Sequence, residues 1–401
     1  MIHPAGRIKH VEYAIREIDA LARELERKGR RVIRLNIGDP VAYDFQPPQT
    51  LKLSLTEAVE KGYNSYSPSE GIWELREAIA ERERKVNGVD VEAEDVLVTT
   101  GVSEAISMLM AALVEEGDEI LMPSPCYPVY VPYVKLYGGV AKFYRLGEDS
   151  GRWVILDDVS KLVTPRTKAV FIVNPHNPTG AVLSGREIQE LVEAATSVGA
   201  CIVSDEIYDS LVFDCCFSST ASVAKDAPVI GLNGFSKRWL ATGWRLGYMY
   251  FSSPRGELDE VKEAVVKLAR MRLCPPTPIQ KAAELALRKG EGFLEDLRRE
   301  FKRRRDFFVS LLQDFQGLAL TPPRAAFYAY PRLTVKGDWG NDFGFAKMLL
   351  IEEGVAVVHG SGFYDYQDNR LRVVFLPPGD IIEDAVQRMR RFIARHALAG
   401  L

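Results

Sequence analysis

Residues 96–122 read VLVTTGVSEAISMLMAALVEEGDEILM and carry the pattern that decides the fold. The apolar run at 96–100 predicts a strand, 103–114 has the apolar spacing of a helix, and 119–122 predicts another strand. Continuous apolar strands that alternate with helices are typical of a largely parallel sheet buried on both faces. The same alternation extends outward, with strands expected at 140–144, 169–173, 200–204, 229–232 and 246–251 and helices at 73–86 and 184–198.

Both ends of the chain differ from this α/β pattern. An amphipathic helix at 11–25 is followed by a strand at 32–37 that breaks at Gly38. Beyond residue 290 we expect a charged helix at 292–312, strands at 326–330 and 371–375, and a helix that starts with a capping box of Asp380 and Glu383. We therefore predict an N-terminal arm with part of a small domain at 1–45, a large domain at 46–290 and a small C-terminal domain at 291–401.

The composition excludes several classes of protein. The 401 residues are 47% hydrophobic with a formal net charge of −4, so charge gives no reason to expect a nucleic acid or an anionic membrane as partner. No apolar run approaches the roughly 18 residues of a membrane span, and the N-terminus does not resemble a signal peptide. The five cysteines are scattered without a C-x-x-C spacing, which indicates reduced thiols. We expect a cytoplasmic protein.

The stretch Gly234-Phe235-Ser236-Lys237, followed by Arg245, is the strongest chemical signal. A lysine amine can form an imine with an aldehyde, while a nearby guanidinium can hold a phosphate of the same molecule. Pyridoxal 5'-phosphate (PLP) carries both groups. A Ser-Lys pair alone has little meaning, because most lysines are solvated.

Gly101-Val102-Ser103 lies where a predicted strand passes into a helix. Free backbone N–H groups at a helix N-terminus bind anions, so this turn is a candidate phosphate site. The alternative is an ordinary helix cap at Ser103. Arg245 favours the first interpretation, since it supplies a second phosphate ligand.

Two loops after predicted strands hold further candidates. Loops at the carboxyl ends of parallel strands build the sites of α/β folds. Asn177 lies in such a loop, Asn174-Pro175-His176-Asn177-Pro178-Thr179-Gly180, which could also be only a rigid turn. Asp205 follows an apolar strand, where a carboxylate is costly unless it is paired, and a protonated pyridine nitrogen would pair with it. The alternatives are helix capping for Asp205 and core packing for Tyr208.

These motifs, in this order, resemble the class I/II aminotransferases of the fold-type I PLP enzymes, over nearly the whole chain. The resemblance implies a large PLP-binding domain, with a mostly parallel seven-stranded sheet flanked by helices, and a smaller α+β C-terminal domain. Some stretches, such as Thr242-Gly243-Trp244-Arg245-Leu246-Gly247, look like archaeal-type alanine aminotransferases. The resemblance therefore implies a ping-pong transfer from alanine to 2-oxoglutarate, giving pyruvate and glutamate.

The resemblance also implies a role for each matching residue. Lys237 would hold PLP and move the substrate α-proton, Asp205 would pair with the pyridine nitrogen, and Tyr208 would contact the ring hydroxyl. Arg372 and Gly38 would hold the substrate carboxylate. Some relatives have a phosphate-binding serine where this chain has Gly234, and Ser236 is the expected substitute. The remaining cofactor-binding residues would be Gly101, Val102, Ser103, Tyr127, Asn177, Arg245 and, from the neighbouring subunit of a homodimer, Tyr66.

Several alternatives stay open at this point. Aspartate, aromatic or broad amino-donor specificity, and other PLP activities such as β-lyase or cyclase chemistry, share all these motifs. Arg270 and Arg272 are candidates for a second substrate cation, with solvated or structural roles as the alternative. A nicotinamide dehydrogenase would need a G-x-G-x-x-G turn, and Gly360-Ser361-Gly362 lacks its third glycine. A PLP-fold transcription regulator would need an added DNA-binding segment. Metal catalysis has little support, because His3, His10, His176, His359 and His396 show no ligand spacing.

Overall fold

The computed structural model describes residues 2–11 and 14–398. The helices are α1 Ala14–Arg27, α2 Gln49–Glu60, α3 Trp73–Arg82, α4 Val102–Leu113, α5 Tyr130–Leu136, α6 Gly185–Thr196, α7 Thr220–Val223, α8 Asp259–Met271, α9 Thr277–Lys289, α10 Leu294–Leu312, α11 Asp342–Glu353 and α12 Gly379–His396. The strands are β1 Ile33–Arg34, β2 Val96–Thr99, β3 Glu119–Ser124, β4 Val140–Asp149, β5 Arg152–Ile155, β6 Thr167–Val173, β7 Cys201–Asp205, β8 Val229–Gly234, β9 Gly247–Ser252, β10 Leu318–Ala319, β11 Tyr328–Ala329, β12 Arg332–Leu333, β13 Val355–Ala356, β14 Val358–His359 and β15 Leu371–Val374.

A central sheet with the order β2-β9-β8-β7-β6-β3-β4-β5 confirms the predicted α/β fold. The strands from β8 to β4 pair in parallel, and β9 is antiparallel to both of its neighbours. Strands β6 and β7 are buried along almost their whole length, as their uninterrupted apolar sequences predict. Because the parallel strands point the same way, the loops that follow β3, β6, β7 and β8 open at one edge.

The sheet has one strand more than predicted, eight instead of seven. The additional edge strand β5 pairs antiparallel with β4, and Leu146 lies opposite Ile155. Ser150 and Gly151 connect the two strands with positive φ angles of 49° and 78°. The sequence did not reveal β5, because its four residues are too short for a distinct periodic signal.

The N-terminal segment packs on the C-terminal part of the chain. Strand β1 pairs in parallel with β13, joining Ile33 to Val355, and Ile18 of α1 shares a buried cluster with Phe345 and Phe392. A three-stranded sheet of order β11-β15-β14 lies in the same part of the molecule. We propose on this basis that 1–45 supply an N-terminal arm and part of the small domain, that 291–401 supply the rest of the small domain, and that 46–290 form the large domain.

The structure corrects some local expectations. The strand expected at 326–330 is only Tyr328–Ala329, and the strand expected at 32–37 is only Ile33–Arg34. The capping box of Asp380 and Glu383 is wrong, because α12 begins at Gly379 after Pro378, without a side-chain cap. A capping box does start α6, where the Ser184 side chain accepts from the backbone N–H of Glu187. Both short strands lie next to irregular backbone, where apolar sequence alone predicts too long an element.

Candidate active site

A cleft of about 260 Å³ opens where the ends of the parallel strands meet the C-terminal part of the chain. Strands β6, β7 and β8 lead into it, α4 points its N-terminus toward it, and β15 contributes from the other side. Most of the site residues expected from the sequence therefore come together. Those that line the cleft are Gly38, Val102, Ser103, Tyr127, Asn177, Asp205, Tyr208, Ser236, Lys237, Arg245 and Arg372.

Lys237 has its amine inside the cleft. Its Nζ donates a hydrogen bond of 2.8 Å to the carbonyl oxygen of Gly38 and lies 5.6 Å from the ring centre of Phe327. Burial lowers the pKa of Lys237 to about 8, although the nearby carboxylate of Asp39 acts in the opposite direction. An amine of lowered pKa can act as a nucleophile and as a proton carrier near neutral pH.

Asp205 ends strand β7 with a buried carboxyl group. Its Oδ2 accepts a hydrogen bond of 2.6 Å from the hydroxyl of Tyr130, and its Oδ1 accepts one of 3.2 Å from the backbone N–H of Ile207. Burial raises the pKa of Asp205, while these two donors and the charge of Lys237 oppose that change. The helix-capping alternative is wrong, since the next helix along the chain begins only at Thr220.

Tyr208 brings a hydroxyl to the cleft from a ring that is packed in the core. The ring meets Phe327 edge to face, with 5.6 Å between centroids. Its hydroxyl lies 2.8 Å from the hydroxyl of Tyr328, which also lines the cleft. Core packing therefore describes the ring, and the hydroxyl remains available for a ligand. The side chain of Asn177 is nearly fully buried, and its Oδ1 has no hydrogen-bond partner among the described residues.

The turn between β2 and α4 has the geometry that the candidate anion site requires. Gly101, with a φ of 85°, precedes the helix, and no side chain caps it, so the interpretation of Ser103 as the cap is wrong. The guanidinium of Arg245 donates to the carbonyl oxygens of Thr242 at 3.0 Å and Thr100 at 3.4 Å. A Cβ atom on Gly101 would lie 2.6 Å from Nη2 of Arg245. Gly101 does not line the cleft but lets this guanidinium approach the helix N-terminus.

Arg372 projects from β15 between two aromatic rings. Its guanidinium carbon lies 4.8 Å from the ring centre of Tyr328 and 5.0 Å from that of Phe363, and Nη2 donates to the carbonyl oxygen of Asn36. The Nε atom has no hydrogen-bond partner among the described residues. Gly38 packs against the same tyrosine, because a Cβ atom on Gly38 would collide with the phenol of Tyr328. The two residues thus form one wall of the cleft.

Tyr66 is not brought to this cleft. Its side chain is 82% exposed on the surface of the chain, so it can act only in the site of another subunit or on the surface. Arg272 has a structural role, because it donates to the carbonyl oxygens of Val98 at 3.0 Å and Ser69 at 3.3 Å. Arg270 is mostly exposed and lies near Glu70.

Other residues of the cleft were missed by sequence reasoning. Thr242 donates to Asp39 at 2.8 Å and so connects the segment after Lys237 to the segment that carries Gly38. The motif around Gly38 already included Asp39, but nothing in the sequence indicated its partner. The further lining residues without a predicted role are Arg16, Asp19, Asn36, Ile37, Ile106, Tyr130, Val173, Ile207, Thr242 and Tyr328.

The described ranges 2–11 and 14–398 contain no group of three or more His, Cys, Asp or Glu side chains placed to hold a metal ion. None of their helices combines the length and the apolar character that crossing a membrane requires.

The fold and the cleft define a class of protein. A partly buried lysine and a buried carboxylate share a cleft with a helix N-terminus and an arginine at the carboxyl ends of parallel strands, as a phosphorylated aldehyde cofactor requires. The family model of "Aminotransferase class I and II" matches residues 30–388. The chain belongs to this family, whose members are PLP-dependent transaminases.

Individual relatives cover almost the whole chain. The glutamate-pyruvate aminotransferase AlaA of Haemophilus influenzae is 33% identical over 97% of this chain and 98% of its own length. The aromatic-amino-acid aminotransferase 2 of Thermococcus litoralis is 34% identical over 96% of both chains. Among solved structures, the alanine aminotransferase from Pyrococcus furiosus is 46% identical, with a TM-score of 0.95 over 98% of this chain and 100% of its own.

Proposed function

We propose that this aminotransferase transfers the amino group of L-alanine to 2-oxoglutarate, producing pyruvate and glutamate. The observation that carries the choice of alanine is the 46% identity, over 98% of the chain, to the Pyrococcus furiosus alanine aminotransferase. The glutamate-pyruvate aminotransferases AlaA of Haemophilus influenzae and Escherichia coli, each 33% identical, support the same exchange, because glutamate and pyruvate are the products of the proposed direction.

The residues of the cleft fit PLP. When bound, PLP withdraws electrons from the α-carbon of the substrate, so that its α-proton can leave. We propose that Asp205 pairs with the pyridine nitrogen and that Tyr208 and Asn177, whose Oδ1 has no partner among the described residues, contact the ring hydroxyl. Tyr127 would lie against the ring face. The phosphate would accept hydrogen bonds from the backbone N–H groups at Gly101–Ser103 and from the side chains of Ser236 and Arg245.

Lys237 has two tasks in this proposal. Its amine would hold the cofactor, and the same amine would move the substrate α-proton. Because burial lowers its pKa to about 8, about a tenth of the amine is neutral at pH 7 and can accept that proton. The hydrogen bond of 2.8 Å to Gly38 holds Nζ on the side of the cleft where the substrate carboxylate would lie.

Arg372 would hold the substrate through two parallel hydrogen bonds to its α-carboxylate, assisted by the backbone at Gly38. The rings of Tyr328 and Phe363 restrict the guanidinium, which reduces the entropy lost on binding. Both substrates of the exchange carry this carboxylate, so one arginine serves the two halves of a ping-pong reaction.

We further propose that the enzyme is a homodimer with shared active sites. The support is Tyr66, which matches a tyrosine that contacts the neighbouring subunit's phosphate and is 82% exposed in the single chain. We also propose a reducing, cytoplasmic location, supported by the five cysteines, which are all free.

The first experiment tests the lysine. Borohydride reduction followed by peptide mapping should find the cofactor on Lys237, and the Lys237→Ala variant should lose both the label and turnover. Lys267→Ala is the matched control, since Lys267 is mostly exposed and paired only with Glu263 on the surface of α8. Full activity in Lys237→Ala, or a label on another residue, would contradict the proposal.

The second experiment tests the amino donor. Aromatic specificity is the competing candidate, because the Thermococcus litoralis aromatic enzyme is 34% identical. Initial rates with L-alanine, L-aspartate, L-phenylalanine and L-tyrosine, each with 2-oxoglutarate, should give the highest kcat/KM for alanine. A higher kcat/KM for an aromatic donor would show that an aromatic amino acid, and not alanine, is the preferred donor.

A further inference from the structure

Tyr130, one of the residues that line the cleft, donates a hydrogen bond to the carboxylate of Asp205. We propose that Tyr130 is a positioning residue of the cofactor site: its hydroxyl occupies Oδ2 of Asp205 and keeps that carboxylate ionised for the pyridine nitrogen. The observation is a hydrogen bond of 2.6 Å between two groups that are 1% and 4% exposed. The inference rests on the proposed use of PLP.

The ring of Tyr130 is fixed by its neighbours. Tyr130 begins helix α5, directly after the loop that carries Tyr127. The rings of Tyr130 and Tyr127 meet edge to face, with 5.6 Å between centroids. On another side the ring of Tyr130 packs on Phe171 of β6, with 5.2 Å between centroids. Because the ring cannot swing away, its single O–H donor stays directed at Asp205.

Two donors from different elements together fix the carboxylate. The hydroxyl of Tyr130 in α5 donates to Oδ2 at 2.6 Å, and the backbone N–H of Ile207 donates to Oδ1 at 3.2 Å. A carboxylate has about four lone-pair sites, so positions remain for a ligand in the cleft. These two bonds set the plane of the carboxylate before any cofactor binds, which is the condition for an efficient pairing with a ring N–H.

The charge state of Asp205 depends on the same contact. Burial favours the neutral acid and raises the pKa of Asp205, whereas a donated hydrogen bond favours the carboxylate. The groups that face this carboxyl are Tyr130, Lys237 and Tyr208, together with the N–H of Ile207. Burial and the neighbouring Asp205 both raise the pKa of Tyr130, so the phenol remains protonated and can donate. Without this hydroxyl the carboxylate of Asp205 would bind a proton more tightly. The pyridine nitrogen would then be protonated to a smaller extent.

The test removes one oxygen atom, the hydroxyl of Tyr130. Tyr130→Phe keeps the ring packed on Phe171 and removes only the donor. Tyr144→Phe is the matched control, because Tyr144 is equally buried and its hydroxyl donates to the backbone oxygen of Phe171 at 2.9 Å, away from Asp205. The two variants should have similar unfolding temperatures, because each loses one buried hydrogen bond.

The first readout uses the protein without cofactor. Carbon-13 NMR of aspartate-labelled apo-protein, with Asp205→Asn to assign the signal, follows the titration of Asp205 directly. The midpoint should rise by about one pH unit or more in Tyr130→Phe, as the loss of a hydrogen bond to a charged group requires, and stay unchanged in Tyr144→Phe. An unchanged midpoint in Tyr130→Phe would overturn the inference.

The second readout uses the enzyme with PLP. We expect kcat to fall about tenfold in Tyr130→Phe while KM for alanine changes little, because the substrate carboxylate does not contact this residue. A change confined to KM would overturn the inference. Failure of the proposed function is separate from both results: it would show as a wild-type protein without cofactor on Lys237, and the apo-protein titration would still decide whether Tyr130 controls Asp205.

Discussion

Lys237 illustrates how its surroundings change the chemistry of one side chain. An ordinary lysine has a pKa of about 10.4, so almost none of it is neutral at pH 7. In this cleft burial lowers the pKa to about 8, even though the carboxylate of Asp39 favours the protonated form. The reactive neutral amine should thus become available roughly two pH units earlier than on the surface.

This pKa predicts the pH dependence of cofactor attachment. The rate at which apo-protein captures PLP should rise with pH and level off above about pH 8, because only the neutral amine is a nucleophile. Stopped-flow absorbance across the range measures it. Asp39→Asn should move the midpoint to lower pH, since it removes the charge that raises the pKa of Lys237. A rate that continues to climb to the ordinary lysine pKa would contradict the prediction.

Three of the cleft residues that were identified from the sequence share one property. Asp205, Lys237 and Arg245 are charged residues next to a strand end or a glycine, where a charge requires an explanation. Tyr130 lacked such a signal. An aromatic residue in an apolar stretch is more often packing than function, and only the position of its hydroxyl separates the two.

The turn that joins β2 to α4 depends on a residue without a side chain. Gly101 has a φ of 85° and stands against the guanidinium of Arg245. Glycine reaches this backbone region without strain, and the missing Cβ gives the guanidinium its place beside the helix N-terminus. The anion site therefore needs glycine for two separate reasons.

Gly101→Ala should weaken cofactor binding more than it weakens the fold. Gly117→Ala is a matched control, because Gly117 has a φ of 84° but no atom within 4 Å of an added Cβ. Both variants should lose about 1 kcal/mol of unfolding free energy from backbone strain. Only Gly101→Ala should raise the PLP dissociation constant, by about tenfold, through the displaced Arg245. Equal PLP affinities in the two variants, measured by fluorescence titration, would contradict this role.

The long elements followed from local patterns, whereas the short ones did not. The expected strands at 169–173 and 200–204 correspond to Thr167–Val173 and Cys201–Asp205, because continuous apolar runs are buried on both faces. The expected strand at 326–330 shrank to two residues. Ala326 there has a φ of 59°, a conformation imposed by its tertiary surroundings that no propensity predicts.

Assembly is the largest feature left to experiment. Tyr66 has no access to the cleft of its own chain, so the proposed phosphate contact requires a second copy. In solution we expect twice the 44.9 kDa of the chain, measured by analytical ultracentrifugation. A protein that is active as a monomer would contradict the shared site.

Tyr66→Phe should raise the dissociation constant of PLP about tenfold, because a hydrogen bond to a charged phosphate is lost across the interface. Tyr366→Phe is the matched control, since Tyr366 is also mostly exposed, at 75% against 82% for Tyr66. Equal affinity in both variants would exclude Tyr66 from the site. If Tyr66→Phe still weakens PLP binding in a dilute, monomeric sample, the contact does not come from the neighbouring subunit.

The alternation of apolar runs predicted the α/β fold, and the motifs that resemble the class I/II aminotransferases predicted the family and eleven of the residues that line the cleft. These signals are local, since periodicity and turn chemistry are written in adjacent residues. Tertiary structure alone decided which hydroxyl meets Asp205 and which meets Tyr208, in pairs that are 75 and 120 positions apart. It also decided the eighth strand and the exposure of Tyr66. Contacts of that separation depend on how whole elements pack, and no local pattern records them.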